Sequence, residues 1–282
     1  MIIDFHTHTF PDKIAAATID KLSHTSHTRP FSDGTVNGLL ASMRSSGVDL
    51  SVILPVATSP KQVTGINDFA AKTNERLGSQ GIFSFGGIHP DFENWKEELV
   101  RIAGLGLKGI KIHPVYQHVN QDDIRYLRIM DLAGELGLIV LTHGGIDIGF
   151  PEMDCCSPRK ILSALKQVGP VKLVAAHMGG WKEWDDAEEL LSETDIRLDT
   201  SFSTGILSPL DDGFHDAEYL EMLTEDRFIR MVRKFGAGRI LFGTDSPWSS
   251  QKDSIDWIRN LALSQEEKEA ILGGNARKLL SV

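Results

Sequence analysis

The chain has 282 residues, of which 41% are hydrophobic and 24% are charged. This composition is that of a globular protein with a large core, and it excludes an intrinsically disordered chain. The 29 basic and 39 acidic residues give a net charge of −10. A surface of this sign repels nucleic acid and anionic lipid, so we expect neither as a partner. The length fits a single domain over residues 1–282.

The only cysteines, Cys155 and Cys156, are adjacent in the sequence. They cannot join distant parts of the chain, so a secreted disulfide framework is excluded. No basic leader precedes the first apolar run, and no segment approaches the roughly 20 apolar residues of a membrane helix. We therefore expect a cytoplasmic protein without a membrane partner.

Short β-branched runs alternate with longer segments of helical spacing. The runs that can form strands are residues 2–6, 51–56, 82–88, 109–113, 138–143, 172–177, 196–200 and 239–244. Segments such as 122–136 and 219–235 can form helices. Repeated strand–helix units predict a parallel sheet, and this number of units in a chain near about 250 residues predicts a (β/α)8 TIM barrel. An open doubly wound sheet is the alternative.

Local signals place several helix boundaries. Ser157 followed by Pro158 predicts a helix start, with a capping hydroxyl before a first-turn proline. Ser264 and Glu267 have the spacing of a capping box. The glycine pair at 273–274 predicts a helix end before a short terminal segment.

Nearly every predicted strand ends in a side chain that can bind a metal or move a proton. These side chains are His6, His8, His89, His113, His143, His177 and Asp245. Buried parallel strands usually finish in apolar or turn residues, and in a closed barrel all the strand ends meet on one face. The pattern therefore favours a barrel with a catalytic mouth over an open sheet.

His6 and His8 lie two residues apart on one predicted strand, so both imidazoles face the same side and can bind one ion. Imidazole is a good ligand for zinc and related divalent metals. His143 and Asp245 can complete the ligand set. A His-x-His pair alone is a weak signal, because two polar residues at a strand end have the same pattern.

Six motifs together resemble the amidohydrolase superfamily, and within it the amidohydrolase-related branch that includes aminocarboxymuconate-semialdehyde decarboxylase and related aromatic decarboxylases. They are residues 5–8 (FHTH), 109–114 (GIKIHP), 142–145 (THGG), 176–180 (AHMGG), 241–247 (LFGTDSP) and 274–277 (GNAR). They occur in the order of the family, from the first strand to the last helix, so the resemblance covers nearly the whole chain.

The resemblance implies one divalent metal, commonly zinc, bound by His6, His8, His143 and Asp245. It also implies that His177 serves in acid–base chemistry or polarises the substrate. A divalent ion lowers the pKa of its bound water to roughly 7. Asp245 can then accept a proton from that water, and His177 can protonate the leaving group.

Lys111 has several interpretations. In binuclear relatives a lysine at this position is carboxylated and bridges two metals, which would add a second ion here. We favour a substrate-facing ammonium, and an ordinary ion-pairing lysine is the remaining alternative.

Other strand-terminal residues are candidates for substrate contact. For both His113 and His89 we expect either a contact with substrate or a structural hydrogen bond, and the sequence favours neither. Trp181, Phe202 and Trp248 follow strands and can line the pocket or simply pack. Asp4 is a candidate for orienting a metal-bound histidine, and capping of the turn is the alternative. His24, His27, His118 and His215 are expected to be exposed.

The expected activity is hydrolysis of an amide, lactone or ester bond in a small carboxylated molecule. The main alternative is nonhydrolytic decarboxylation of an aromatic or muconate-type acid at the same metal site. A catalytically silent metal-binding scaffold is a third hypothesis. Relatives are often dimers, which gives an expectation of a homodimer.

Overall fold

The computed structural model describes residues 1–216 and 218–282. They form two compact units, one of Met1–Val52 with Asp199–Val282 and the other of Ile53–Leu198. Both boundaries fall within strands. The single domain expected over residues 1–282 stays a prediction.

The strands are short, and each overlaps one of the predicted apolar runs. They are β1 Ile3–Thr7, β2 Leu50–Ile53, β3 Ile82–Ser84, β4 Gly86–Gly87, β5 Gly109–Ile112, β6 Ile139–Thr142, β7 Lys172–Ala175, β8 Arg197–Asp199 and β9 Ile240–Leu241. The run at 82–88 contains two strands, which are separated at Phe85.

The longer helices follow the strands. They are α1 Asp12–Ser26, α2 Val36–Ser46, α3 Val63–Leu77, α4 Trp95–Gly104, α5 Ile124–Glu135, α6 Pro158–Leu165, α7 Trp184–Leu191, α8 Glu225–Phe235, α9 Gln251–Asn260, α10 Gln265–Glu269 and α11 Asn275–Leu280. Among the described residues, none of these helices has the length and apolarity needed to cross a bilayer.

Side-chain caps explain where two helices differ from their predicted bounds. The Asp123 side chain accepts from Arg125 N, so α5 starts at Ile124 instead of residue 122. The Thr224 side chain accepts from Arg227 N, so α8 starts well after residue 219. In both cases a polar cap sets the helix start, because it satisfies a backbone donor that lacks a helical partner.

Of the predicted boundaries, two are confirmed and one is wrong. α6 begins at Pro158, although the Ser157 side chain makes no capping hydrogen bond. Ser264 with Glu267 forms the capping box of α10. The glycine pair at 273–274 does not end a helix, because a π-helical turn, Ala270–Gly274, continues directly into α11. A Cβ at Gly273 would collide with the carbonyl oxygen of Met1, so this glycine serves close packing.

In the unit Ile53–Leu198, strands β4 to β8 pair in sequence order, and they are parallel. Val140 of β6, for example, is in register with Ile110 on one side and Leu173 on the other. All three are buried. Because the strands are parallel, their carboxyl ends share one edge, and His89, His113, His143 and His177 follow those ends.

In the other unit, β1 lies between β2 and the segment that contains β9. Asp49 N, just before β2, donates to Ile2 O (2.9 Å), and Phe5 N donates to Phe242 O (2.8 Å), just after β9. β1 is buried along its whole length. Its alternate side chains therefore place polar groups, including His6, inside the protein.

Candidate metal centre

His6, His8 and Asp245 converge in the unit of Met1–Val52 and Asp199–Val282. His6 Nε2 lies 3.2 Å from His8 Nε2 and 3.0 Å from Asp245 Oδ1, and His8 Nε2 lies 3.1 Å from the same oxygen. Donor atoms about 2.1 Å from a common ion are roughly 3 Å apart in octahedral geometry and roughly 3.4 Å apart in tetrahedral geometry. The three atoms thus have the spacing of ligands around one divalent ion.

Backbone hydrogen bonds hold Asp245 in this position. Its N–H donates to His6 O (2.8 Å), and its carbonyl accepts from Trp248 N (2.9 Å). Its φ is +61°, a left-handed conformation that costs a non-glycine residue of order 1–3 kcal/mol and persists only where neighbours hold it. The turn after β9 is thereby shaped to direct this carboxylate toward the two imidazoles.

The other ring nitrogen of His6 faces a carboxylate. His6 Nδ1 lies 2.9 Å from Asp199 Oδ2 and 2.9 Å from Ser201 Oγ. A carboxylate only accepts, so a His6 ring protonated on Nδ1 donates to Asp199. In that tautomer Nε2 presents a lone pair toward Asp245.

This arrangement places either a proton or a metal ion between the ring and Asp245. A lone pair on His6 Nε2 at 3.0 Å from a carboxylate oxygen is repulsive unless a proton or a metal ion lies between them. Two imidazoles and a carboxylate are also the donor set that zinc and similar divalent ions take in proteins. The residues therefore fit a divalent metal.

Electrostatics keep Asp245 ionised. Burial alone would raise the pKa of its carboxyl group, but the His6 and His8 imidazoles outweigh burial and hold the pKa well below its usual value. An ionised carboxylate is the form that binds a metal.

Of the two roles expected for Asp4, the structure shows the capping of backbone. Its Oδ1 accepts from Thr244 N (3.0 Å) and from the backbone N–H of His6 (3.3 Å), so it orients backbone rather than an imidazole. Burial raises the pKa of Asp4 to about 6, against hydrogen bonds from Thr244 and Gln251 that lower it. The carboxylate that contacts the imidazole of His6 is Asp199.

A glycine lets β1 approach the segment after β9. A Cβ at Gly243 would lie 2.8 Å from His6 Cβ, which is closer than real Cβ atoms come. This glycine of the LFGTDSP motif therefore leaves the space that His6 occupies.

A second group of side chains lies in the unit Ile53–Leu198 and consists of His113, His143 and Asp147. Asp147 Oδ2 lies 3.6 Å from His113 Nε2 and 4.0 Å from His143 Nε2. The two rings stack with centroids 4.3 Å apart and an interplanar angle of 18°. Stacked rings direct their lone pairs side by side rather than at one point, so this group fits a single ion less well than the first.

His177 contacts His143 in the same unit. His177 Nε2 lies 3.0 Å from His143 Nδ1, and Trp184 Nε1 donates to the carbonyl oxygen of His177 (3.1 Å). His177 and Met178 both have left-handed φ values, +60° and +53°. Strained, well-anchored backbone of this kind is common at functional sites.

The remaining predicted site residues have distinct environments. Lys111 on β5 is 1% exposed. His89 is also buried, its Nδ1 accepts from Asp91 N (3.1 Å), and burial lowers its pKa, so it is a neutral turn-capping histidine here. Trp248 follows Asp245 and is partly exposed. Trp181 is fully buried and packs in the interior.

The expectation of exposed histidines holds for His24 and His118. It is wrong for His27, which is half-buried because Nδ1 contacts Asp212 Oδ2 (2.6 Å) and the ring stacks on Phe214. It is also wrong for His215, whose Nε2 hydrogen bonds to Ser26 O (2.8 Å).

The adjacent cysteines are free, buried thiols. The carbonyl of Cys155 accepts from Gln121 N (2.8 Å) and that of Cys156 from Gly145 N (2.9 Å). Burial raises the pKa of both thiols, and that of Cys156 most strongly. The pair thus holds the backbone after β5 and after β6.

The sequence interpretation missed Asp199, Ser201 and Asp147. A signal existed for Asp199, because a carboxylate at the end of the run 196–200 is as unusual as the histidines that end the other runs. No periodic pattern marks Asp147, since it follows His143 in irregular structure.

Comparison with known proteins identifies a family that this chain matches. The family model described as amidohydrolase matches residues 3–282. The sequence matches none of the curated proteins.

Solved structures match the chain over its full length. An uncharacterised TIM-barrel protein from Bordetella bronchiseptica has a TM-score of 0.75 at 17% identity and covers 99% of this chain and 98% of its own. A dihydroxybenzoic acid decarboxylase from Polaromonas, with bound manganese and the inhibitor 2-nitroresorcinol, has a TM-score of 0.69 at 15% identity and covers 99% and 96%. A probable 2-pyrone-4,6-dicarboxylic acid hydrolase from Acinetobacter baumannii, with citric acid bound, has a TM-score of 0.67 at 15% identity and covers 100% and 99%.

At these identities the likeness shows the fold. The chain has the parallel-strand TIM-barrel fold that the sequence predicted, and the open doubly wound sheet is excluded.

Proposed function

This chain belongs to the amidohydrolase family, whose model spans residues 3–282, and on that premise we propose that it is a metal-dependent hydrolase of a small carboxylated molecule. The bond cleaved would be an amide, lactone or ester. The observation that carries the proposal is the triangle of His6 Nε2, His8 Nε2 and Asp245 Oδ1, with sides of 3.0–3.2 Å.

In this proposal His6, His8 and Asp245 hold one divalent ion, and His143 is the fourth ligand. Zinc is the proposed ion, and manganese is the alternative because the Polaromonas decarboxylase binds it. When bound, such an ion polarises a carbonyl group and makes water more acidic near neutral pH.

The chain's own residues would handle protons and charge. Asp245, ionised and close to both imidazoles, would accept a proton from the attacking water. His177 would protonate the leaving group, and its Nε2 already contacts His143 Nδ1 at 3.0 Å. This contact supports exchange of a proton between the two rings.

Lys111 would attract a carboxylate of the substrate, because a buried ammonium is stabilised by a negative charge beside it. Its carboxylation, which would bring a second metal, is the alternative. Intact mass analysis of native and acid-treated protein separates the two, since carbamate is lost in acid. His113, His89 and Trp248 are proposed substrate contacts. We also propose a cytoplasmic homodimer.

A second candidate function is decarboxylation. The specific observation that favours it is the full-length structural match to a dihydroxybenzoic acid decarboxylase. The same metal site would serve, with Asp245 or His177 delivering a proton to the carbon that loses CO₂.

Two substrate panels separate these functions. Metal-replete protein is incubated with lactones such as 2-pyrone-4,6-dicarboxylate and, separately, with dihydroxybenzoates. Ring opening without gas release supports hydrolysis, whereas CO₂ release without hydrolysis overturns it in favour of decarboxylation. The Asp245→Asn protein is the control for background reaction. A protein that binds no divalent ion after metal loading contradicts both functions.

A further inference from the structure

We propose that Asp199 determines the tautomer of His6, so that the ring carries its proton on Nδ1 and presents Nε2 as an electron-pair donor to a divalent cation. The inference rests on the proposed function, because His6 is a ligand of the proposed metal centre. It assigns to Asp199 a positioning role that acts through His6.

The contacts around His6 Nδ1 are fully enclosed. His6, Asp199 and Ser201 are each 0% exposed. Asp199 Oδ2 and Ser201 Oγ both lie 2.9 Å from His6 Nδ1. In a site closed to solvent, these side chains bond to protein atoms rather than to bulk water.

Counting protons gives one consistent arrangement. Asp199 Oδ1 accepts from the Ser201 N–H (3.0 Å) and from the Ser201 hydroxyl. The hydroxyl has a single proton, so once it donates to Asp199 its oxygen can only accept from His6. Both atoms that face Nδ1 are then acceptors, and the imidazole proton must lie on Nδ1.

The consequence appears on the opposite side of the ring. A neutral imidazole has one N–H, so a proton fixed on Nδ1 leaves Nε2 unprotonated. Nε2 is the atom that lies 3.0 Å from Asp245 Oδ1 and 3.2 Å from His8 Nε2. A carboxylate partner also increases the basicity of a histidine ligand, which strengthens metal binding.

Asparagine at position 199 tests this closely, because it keeps the size of the side chain and removes its charge. An amide can turn its NH₂ group toward Nδ1, and the imidazole proton then moves to Nε2, where it blocks the cation. Asp199→Asn is the test variant. Asp195→Asn is the matched control, since Asp195 is an exposed carboxylate shortly before β8.

The first measurement is the dissociation constant for Zn²⁺ and for Mn²⁺ of chelator-stripped protein, obtained by competition with a chromophoric chelator. We expect Asp199→Asn to bind about 10–100-fold more weakly than wild type and Asp195→Asn to match wild type. Wild-type affinity in a folded Asp199→Asn protein would overturn the proposal.

The second measurement needs no metal. Nitrogen-15 NMR of the metal-free protein reports which ring nitrogen of His6 is protonated, with the His6 signals identified by their loss in His6→Gln. We expect Nδ1–H in wild type and a shift toward Nε2–H in Asp199→Asn. Wild-type His6 protonated on Nε2 would refute the role of Asp199.

The two measurements keep the two claims apart. If wild-type protein binds neither ion, the proposed metal centre is contradicted. The NMR measurement on metal-free protein still tests the role of Asp199, because it reports the tautomer of His6 directly. If Asp199→Asn does not fold, the wild-type spectrum remains decisive. Ser201→Ala keeps the Asp199 carboxylate, so His6 is expected to retain its proton on Nδ1 in this variant. Loss of the Nδ1 proton in Ser201→Ala would mean that Ser201, not Asp199, determines the tautomer.

Discussion

Thr244 donates two hydrogen bonds to Asp4, from its N–H to Oδ1 at 3.0 Å and from its hydroxyl to Oδ2 at 2.6 Å. Thr244 immediately precedes Asp245, so these bonds join β1 to the chain segment that carries the proposed ligand. Both residues are buried. The pair therefore contributes to stability and to the position of Asp245 together.

Removal of the Thr244 hydroxyl should destabilise the fold. Thr244→Val keeps the shape of the side chain but leaves a buried carboxylate oxygen with one donor fewer, at a cost of about 1.5–3 kcal/mol. Urea unfolding followed by circular dichroism measures the loss. Thr25→Val, at a more exposed hydroxyl in α1, is the control and should change stability by less than about 0.5 kcal/mol. Equal effects at the two positions would contradict the role of the Thr244–Asp4 bonds.

Loss of a proposed ligand should remove activity without unfolding the chain. His6→Ala or Asp245→Asn is expected to lower turnover by at least about 100-fold, since the metal supplies several kcal/mol of stabilisation to developing charge. Steady-state kinetics on a compound from the two substrate panels that the wild-type protein turns over, with far-UV circular dichroism, measures both quantities. His24→Ala, on an exposed face of α1, should behave as wild type. Near-normal turnover in either ligand variant would disprove the site.

Metal binding should stabilise the native state. For an ion at about 100 times its dissociation constant, linkage gives about 2.7 kcal/mol, which raises the unfolding temperature. Thermal unfolding of stripped protein with and without added Zn²⁺ measures this shift. Asp245→Asn should show a much smaller shift, and an equal shift in that variant would place the bound ion elsewhere.

Glu183 should make stability fall as the pH rises toward neutrality. Burial, with repulsion from Asp154 and Asp186, raises the pKa of Glu183 from 4.5 to about 7. The folded state therefore keeps the proton to higher pH than the unfolded state does. The folded state is thus progressively disfavoured between pH 4.5 and about 7.

Glu183→Gln should remove this slope and be more stable than wild type above about pH 7. Urea unfolding across the interval in both proteins measures the difference. Glu189→Gln, at an exposed position of α7, the helix that follows Glu183, should keep the wild-type slope. A wild-type slope in Glu183→Gln would assign the pH dependence to other groups.

Gln117 joins three segments after strands. Its Nε2 donates to Ala57 O (2.8 Å) and Ile88 O (2.7 Å), and its Oε1 accepts from His113 N (3.0 Å) and the Tyr126 hydroxyl (2.5 Å). Gln117→Leu leaves four buried groups without this partner, so we expect a loss of at least about 3 kcal/mol. Chemical denaturation measures it, with Gln167→Leu in an exposed turn as the control. A loss below about 1 kcal/mol would mean that other groups replace these bonds.

The sequence predicted the strands well because their signal is local. Most of the buried strands lie in short apolar runs rich in β-branched residues, although β4 is Gly86–Gly87. Polar residues at the ends of such runs are easily recognised. The pairing of His6 with His8 follows from strand periodicity alone, and the structure places their Nε2 atoms 3.2 Å apart.

The remaining features depend on contacts distant in sequence. Asp199 bonds to His6 across 193 positions and Asp4 to Thr244 across 240, and no short-range pattern distinguishes which carboxylate meets the imidazole and which meets the backbone. The glycines at 273–274 were misread for the same reason. The need for space at Gly273 comes from Met1 at the other end of the chain.

The two neighbouring thiols give the molecule an internal reporter of opening. Because Cys155 and Cys156 are enclosed and resist ionisation, alkylating reagents reach them only when that part of the chain loosens. They are the only cysteines of the sequence and both belong to Ile53–Leu198. Pulsed labelling of the native protein with an alkylating reagent would therefore report how fast that unit opens locally. No further cysteine has to be introduced.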